Sequence, residues 1–157
     1  MRTAIISGTF DPITIGHLDV IIRASKLFER VVVAVSKNTE KKCLLSDEVR
    51  LKAVEACLNG IENAKAELCE GLLAEFCNRY ENPVIVRGAR NGSEFDYERS
   101  LFIINQNLGS LETVVLPAES GMDHISSTYV RELIKYGKSL SGAVPENAIA
   151  VIEEYLK

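Results

Sequence analysis

The sequence predicts an α/β fold built on a doubly wound, five-stranded parallel sheet, and three observations carry that expectation. Strand-like and helix-like segments alternate from end to end, the order that builds parallel sheets through helical crossovers. All but one of the strand candidates are short, near-continuously apolar runs rich in β-branched residues, as strands covered on both faces are. No internal repeat, low-complexity tract or Ser/Pro-rich linker interrupts the pattern, so one domain over residues 1–157 is expected.

Thr3 to Ser7 (TAIIS) reads as the first strand. A helix follows through Leu18, Ile21, Ile22, Ser25 and Phe28, whose i, i+3, i+4, i+7 spacing gathers a mostly apolar stripe. Arg30 to Ser36 (RVVVAVS) is the second strand, and Ser46 is positioned to cap a helix through Val49, Ala53, Val54 and Cys57 that ends near Gly60. The third strand is about Ala64 to Cys69, the least apolar of the five, followed by a helix from about Leu72 to Tyr80. Pro83 to Val86 (PVIV) forms the fourth, with a helix over about Glu94 to Asn107, and Thr113 to Leu116 (TVVL) the fifth. Ser126 or Ser127 caps a helix carrying Val130, Leu133 and Ile134 that stops at Gly137, and Pro145 opens a last one through Ile149, Ile152 and Leu156. Right-handed crossovers and a flavodoxin-like strand order would set the fourth strand beside the first, with the second on the first strand's other flank.

Composition excludes several classes. Hydrophobic residues at 46% and charged residues at 25% suit one core in a chain of 157 residues. The 18 Lys+Arg against 22 Asp+Glu give a net charge of −4, without the broad basic field that polynucleotide binding needs, so any anionic ligand must be held by a local cluster of donors. No apolar run approaches the roughly 18 to 20 residues that span a bilayer. Met1-Arg2-Thr3 leads straight into a strand rather than a signal sequence, so a cytoplasmic protein without a membrane partner is expected. Cys43, Cys57, Cys69 and Cys77 form no CxxC pair and have no His at metal-ligand spacing, which suits reduced, mostly packing cysteines and no zinc site. GxxxxGK[ST], a GxGxxG after the first strand and GxSxG are all missing, which argues against P-loop, dinucleotide-dependent and covalent-hydrolase chemistry.

Ligands of doubly wound sheets bind beyond the carboxyl ends of the strands, where the strand order reverses. The loop after the first strand, Gly8-Thr9-Phe10-Asp11-Pro12-Ile13-Thr14-Ile15-Gly16-His17, runs into the clearest helix. Gly8 permits close backbone approach, Asp11-Pro12 favours a turn, and Gly16 leaves the helix N-terminus open to an anion. His17 falls in the first helical turn, where the dipole disfavours imidazolium, so a neutral ring donating one N–H to a phosphate oxygen, with the Thr9 hydroxyl nearby, is the chemistry expected. Arg87-Gly88-Ala89-Arg90 offers two guanidiniums flanking a glycine turn after the fourth strand, suited to a polyphosphate; the same arginines also suit ion pairs with Glu94, Asp96 and Glu98. Lys37, Lys41 and Lys42 follow the second strand, and Ser126, Ser127 and Thr128 place three hydroxyls at a helix start, where capping is the ordinary use. The inventory points to phosphate chemistry by positioning and charge.

These motifs are similar to those of the nucleotidyltransferase superfamily, whose signature (T/H)-x-G-H reads here Thr14-Ile15-Gly16-His17. GTFDPITIGH (Gly8 to His17), the paired Lys41 and Lys42 before Leu44 and Leu45, VRGAR (Val86 to Arg90), EFDYE (Glu94 to Glu98), Asn105 and ISSTYVRE (Ile125 to Glu132) resemble, in order and spacing, the bacterial-type phosphopantetheine adenylyltransferase family. The resemblance spans about Thr3 to Asn147 and implies a Rossmann-like nucleotidyltransferase fold. It implies transfer of the adenylyl group of ATP to 4′-phosphopantetheine, giving dephospho-coenzyme A and pyrophosphate by direct in-line attack without a covalent intermediate. Mg²⁺ is implied as cofactor, carried mainly on the ATP phosphates rather than by protein side chains. By the same resemblance the catalytic set is Thr9, His17, Lys41 and Arg90. The nucleotide side comprises Gly8, Thr9, Phe10, His17, Arg90, Tyr97, Glu98, Ser126, Ser127 and Thr128, and the acceptor side Thr9, Lys41, Leu72, Leu73, Arg87 and Asn105. A homohexamer built as a dimer of trimers and feedback by coenzyme A are also implied. Ser7 departs from the pattern where many members have Pro, as do Cys43, where Pro is frequent, and Ala89, in place of a larger aliphatic residue. Two alternatives are a nucleotidyltransferase for another small acceptor, such as nicotinamide mononucleotide, and a nucleotide-sensing module without chemistry. Thr14 at the first signature position and the EFDYE and ISSTYVRE stretches favour the pantetheine acceptor, and the intact His17, Lys41, Arg87 and Arg90 favour catalysis.

Overall fold

Residues 1–37 and 42–157 are described by a computed structural model of the chain. Five parallel strands, β1 (Thr3–Gly8), β2 (Arg30–Ser36), β3 (Ala64–Cys69), β4 (Pro83–Ala89) and β5 (Glu112–Pro117), form one sheet in the order β3-β2-β1-β4-β5. The central β1 sets Ile5 opposite Val32 of β2 and opposite Ile85 of β4. Successive strand residues face opposite sides of the sheet, so an unbroken apolar run supplies two cores at once. Ala4, Ile6, Val31, Val33 and Val35 enter one, and Ile5, Val32, Ala34 and Ile85 the other.

β1 lies between β2 and β4 as expected, but these neighbours belong to the order common to dinucleotide-binding sheets and not to the flavodoxin-like order, which seats β3 and not β4 beside β1. The composition of β3 explains this. Its Lys65 and Glu67 suit an edge strand and would be buried charges at the sheet centre.

The helices are α1 (Ile15–Leu27), α2 (Asp47–Cys57), α3 (Leu73–Cys77), α4 (Gly92–Gly109), α5 (Ser127–Lys135) and α6 (Glu146–Leu156). Thr14, Ser46, Asn91 and Ser126 cap α1, α2, α4 and α5 with side-chain oxygens that accept first-turn N–H groups. The Asn91 cap starts α4 earlier than the apolar pattern suggests. α3 is shorter than its apolar stretch predicts, because Arg79 and Tyr80 already donate three residues back, to Phe76 and Cys77, and the chain turns away.

β4 carries the largest correction. Arg87, Gly88 and Ala89 pair with Val115, Leu116 and Pro117 of β5, so the expected glycine turn is strand. A Cβ at Gly88 would stand 2.9 Å from Val20 Cγ2, and the missing side chain is what lets α1 pack this close to β4. Among the described residues no helix is long and apolar enough to cross a membrane. All four cysteines are free, with Cys57, Cys69 and Cys77 buried and Cys43 partly so.

Candidate active site

A crevice of about 460 Å³ opens at the carboxyl ends of β1 and β4, where the strand order reverses. Gly8, Thr9 and Phe10 from the end of β1, His17 from α1, Arg87 and Arg90 from the end of β4, Tyr97 and Glu98 from α4, and Ser126 and Ser127 at the start of α5 line it. The two loops that the sequence singles out separately thus form one site.

His17 is held by the start of its own helix. Thr14 Oγ1 accepts the His17 N–H at 3.4 Å, and His17 Nδ1 accepts the Thr14 N–H at 3.0 Å, a capping box closed by a histidine. With Nδ1 accepting, the ring proton resides on Nε2. Burial first, and then the positive charges of Arg87 and Arg90, together hold the His17 pKa down from 6.5 to about 4. The ring is therefore a neutral Nε2–H donor at pH 7. Phe10 meets it edge to face, with ring centroids 5.0 Å apart.

Both arginines are anchored by α4. Arg87 Nε donates to Glu98 Oε2 at 2.8 Å, and its Nη1 donates to the Ser7 carbonyl at 2.6 Å and to Ser7 Oγ at 3.2 Å. Arg90 Nε and its backbone N–H each donate to the Glu94 carboxylate at 2.8 Å, and Nη1 donates to the Ile125 carbonyl at 3.1 Å. The hydrogen bonds from Arg90 hold the Glu94 carboxyl below the usual range. The two readings of the VRGAR and EFDYE stretches are thus compatible: Glu94 and Glu98 orient guanidiniums that still face the crevice. Among the described residues Asp96 pairs with neither arginine.

A second, smaller cavity of about 30 Å³ is lined by Leu73, Asn105 and Thr113 together with Ser7, Arg87 and Glu98, which it shares with the crevice. Leu73 and Asn105 are thus brought together as expected. Leu72 is not: it precedes α3, is 52% exposed and lines neither cavity. Thr128 also stays outside the lining, its Oγ1 accepting from Arg131 Nη2 at 3.0 Å. Lys41 lies outside the described residues.

Sequence reasoning missed three residues that shape the first loop. Asp11 was read as a turn former, but its carboxylate accepts the N–H groups of Leu44 and Leu45 at 2.8 and 2.9 Å. Arg131 Nη1 donates to the Asp11 carbonyl at 2.8 Å, beside the Ser127 hydroxyl, which donates to the Pro12 carbonyl at 2.8 Å. Arg50 on α2 donates to the Thr9 carbonyl. These tethers surround Phe10, whose backbone sits in the left-handed region at φ 51°, where a bulky residue stays only under external constraint. One signal was available: Arg50 occupies the buried stripe of α2 with Ala53, Val54 and Cys57.

The cytidylyltransferase-like family profile matches residues 5–133. The chain is 41% identical over 150 residues to a phosphopantetheine adenylyltransferase of Clostridium novyi (strain NT), covering 95% of this chain and 93% of the relative. It is 34% identical over 159 residues to one from Bifidobacterium animalis subsp. lactis (strain AD011), across the full length of both, and 43% identical over 150 residues to one from Paenarthrobacter aurescens (strain TC1), covering 95% and 90%. The solved structure of a putative nicotinate-nucleotide adenylyltransferase from Vibrio parahaemolyticus shares the fold, with a TM-score of 0.71 at 20% identity over 98% of this chain and 92% of that one.

Proposed function

The chain belongs to the phosphopantetheine adenylyltransferase family, and from that premise we propose how its crevice carries the reaction. The enzyme moves the adenylyl group of ATP onto the phosphate of 4′-phosphopantetheine, giving dephospho-coenzyme A and pyrophosphate. An oxygen of the acceptor phosphate attacks the α-phosphorus in line; that bond forms as the bond to the bridging β-phosphate oxygen breaks, and pyrophosphate leaves with the electron pair. The acceptor phosphate is already a nucleophile, so no general base is required. What the protein must supply is alignment and compensation of the charge that develops on the non-bridging α-oxygens.

The neutral, Nε2-protonated His17 is the observation that carries this reading. It donates to the α-phosphoryl group without delivering a proton, from the first turn of α1, with Thr9 lining the same crevice. Arg90, Gly8, Phe10, Ser126 and Ser127 form the nucleotide side of the crevice, and Thr128 contributes by orienting Arg131. Arg87 and Lys41 draw in the acceptor phosphate, and Leu73 and Asn105, which line the small cavity beside Arg87, mark the direction of the pantetheine arm, itself too large for that cavity. Glu98 sets Arg87 between the two.

Mg²⁺ would be held mainly by the phosphates of the nucleotide. The carboxylates of Asp11, Glu94 and Glu98 are each engaged by N–H donors, so the crevice fits an ion carried on ATP phosphates better than one held by side chains. When bound, it neutralises phosphate charge. The single domain works in the cytoplasm. α4 buries only Glu98 and exposes Ile103, Ile104 and Leu108, each at 52%, which supports assembly of copies through this face into the hexamer, a dimer of trimers. Coenzyme A differs from the product by one phosphate and would compete for the same crevice as a feedback inhibitor.

Pyrophosphate release from Mg·ATP tests the assignment, with 4′-phosphopantetheine, nicotinamide mononucleotide or no acceptor added. Release with the pantetheine acceptor alone is expected, and release only with the mononucleotide would overturn the substrate. His17→Ala should lower turnover about 10²- to 10³-fold with ATP affinity within a few-fold. Unchanged turnover in that variant would remove the mechanism.

A further inference from the structure

Arg50 is 0% exposed, lines neither cavity and cannot touch a substrate bound there. Its position on α2 belongs to an apolar stripe, where an aliphatic side chain would pack without the cost of desolvating a charge. The guanidinium is instead a three-way junction. Nη1 donates to the Thr9 carbonyl at 2.5 Å and to the Ser36 carbonyl at 2.9 Å, and Nη2 pairs with Asp47 one turn earlier on the same helix. Thr9 and Ser36 stand at the carboxyl ends of β1 and β2, so one side chain fixes where both strands release the chain toward the crevice.

The Thr9 carbonyl belongs to the peptide that joins Thr9 to Phe10. Anchoring that peptide fixes the Thr9 hydroxyl on one side. On the other it fixes Phe10, in its left-handed conformation with its ring against His17. We propose that Arg50 is a positioning residue for adenylyl transfer: acting through the Thr9 carbonyl from behind the loop, it holds the Thr9 hydroxyl and the Phe10–His17 pair in their reactive places before nucleotide arrives. The inference rests on the function assigned above. It adds a residue outside the crevice whose effect falls on turnover more than on binding, because small displacements of aligned groups slow a reaction by up to about 100-fold.

The test compares the intact wild type with Arg50→Met and Arg50→Lys by pyrophosphate release, each well below its own thermal midpoint. Arg50→Met should lose 10- to 100-fold in kcat, with KM for ATP and for 4′-phosphopantetheine within about threefold. Arg50→Lys, which keeps the charge but not the fork, should fall between. A purely structural role would lower the thermal midpoint and leave kcat of the folded enzyme within twofold of wild type, and that result overturns the inference. An equal rise in both KM values alongside the kcat loss marks general collapse of the site and overturns it as well. If Arg50→Met does not fold, Asp47→Asn serves, since it leaves Arg50 in place without its orienting carboxylate: a several-fold loss in kcat at constant KM supports positioning, and wild-type kcat overturns it. A wild type that releases no pyrophosphate defeats the functional reading and this inference together. An active wild type matched by its variants defeats this inference alone.

Discussion

Lowering the pH probes the neutral state of His17 directly. With a pKa of about 4, the ring should be about 1% protonated at pH 6, where a histidine at 6.5 would be about three-quarters protonated. The chain has only two histidines, His17 and His124, so an imidazole NMR spectrum holds two ring systems, and His124→Gln assigns them. In the free protein the His17 ring should stay in its Nε2–H form from pH 7 through pH 5.5. The same shift has a stability counterpart. The unfolded chain takes up this proton near 6.5 and the folded one only near 4, so the contribution is complete above pH 6.5 and is lost as the pH falls between these values. The loss amounts to up to about 3 kcal/mol across that window, and the urea midpoint of His17→Gln should fall less steeply there than that of wild type. A ring titrating near 6.5, or an Nδ1–H tautomer at pH 7, would refute the reasoning, since both the depressed pKa and the capping bond demand the opposite.

Two other perturbations follow from packing and pairing. Gly88→Ala sets a methyl group 2.9 Å from Val20 Cγ2 and should destabilise the fold by about 1–3 kcal/mol in urea unfolding, part of which the added Val20→Ala change restores. Glu98→Ala removes the charge-assisted bond that orients Arg87; it should cost about 1–3 kcal/mol of stability and raise KM for the pantetheine acceptor more than KM for ATP, as steady-state kinetics would show.

The parts of the fold legible in sequence are those that local chemistry decides. RVVVAVS announces a strand buried on both faces because little else tolerates five consecutive apolar residues so rich in valine, and Ser46 and Ser126 announce helix starts because their oxygens satisfy free N–H groups. Gly88 was misread because glycine between two arginines looks like a turn, while its actual cause, the approach of Val20, comes from a helix 68 residues earlier in the chain. Strand order depended on which strand could bear the edge, a property of the whole sheet. The convergence of His17, Thr9, Arg87 and Arg90 on one crevice was legible because the loops that follow neighbouring parallel strands meet at the carboxyl end of the sheet. The Asp11 carboxylate was not, because its partners are backbone N–H groups of a remote segment; Arg50 betrays itself only as a charge in an apolar stripe, and its carbonyl partners at Thr9 and Ser36 leave no trace in side-chain composition.

The residues common to both cavities are Ser7 and the ion pair of Arg87 with Glu98, all polar. A phosphate bound on one side that draws on Arg87 redistributes the charge that a ligand on the other side meets. The two occupancies therefore share one linkage term: whatever factor the acceptor imposes on the affinity for nucleotide, the nucleotide imposes on the affinity for acceptor.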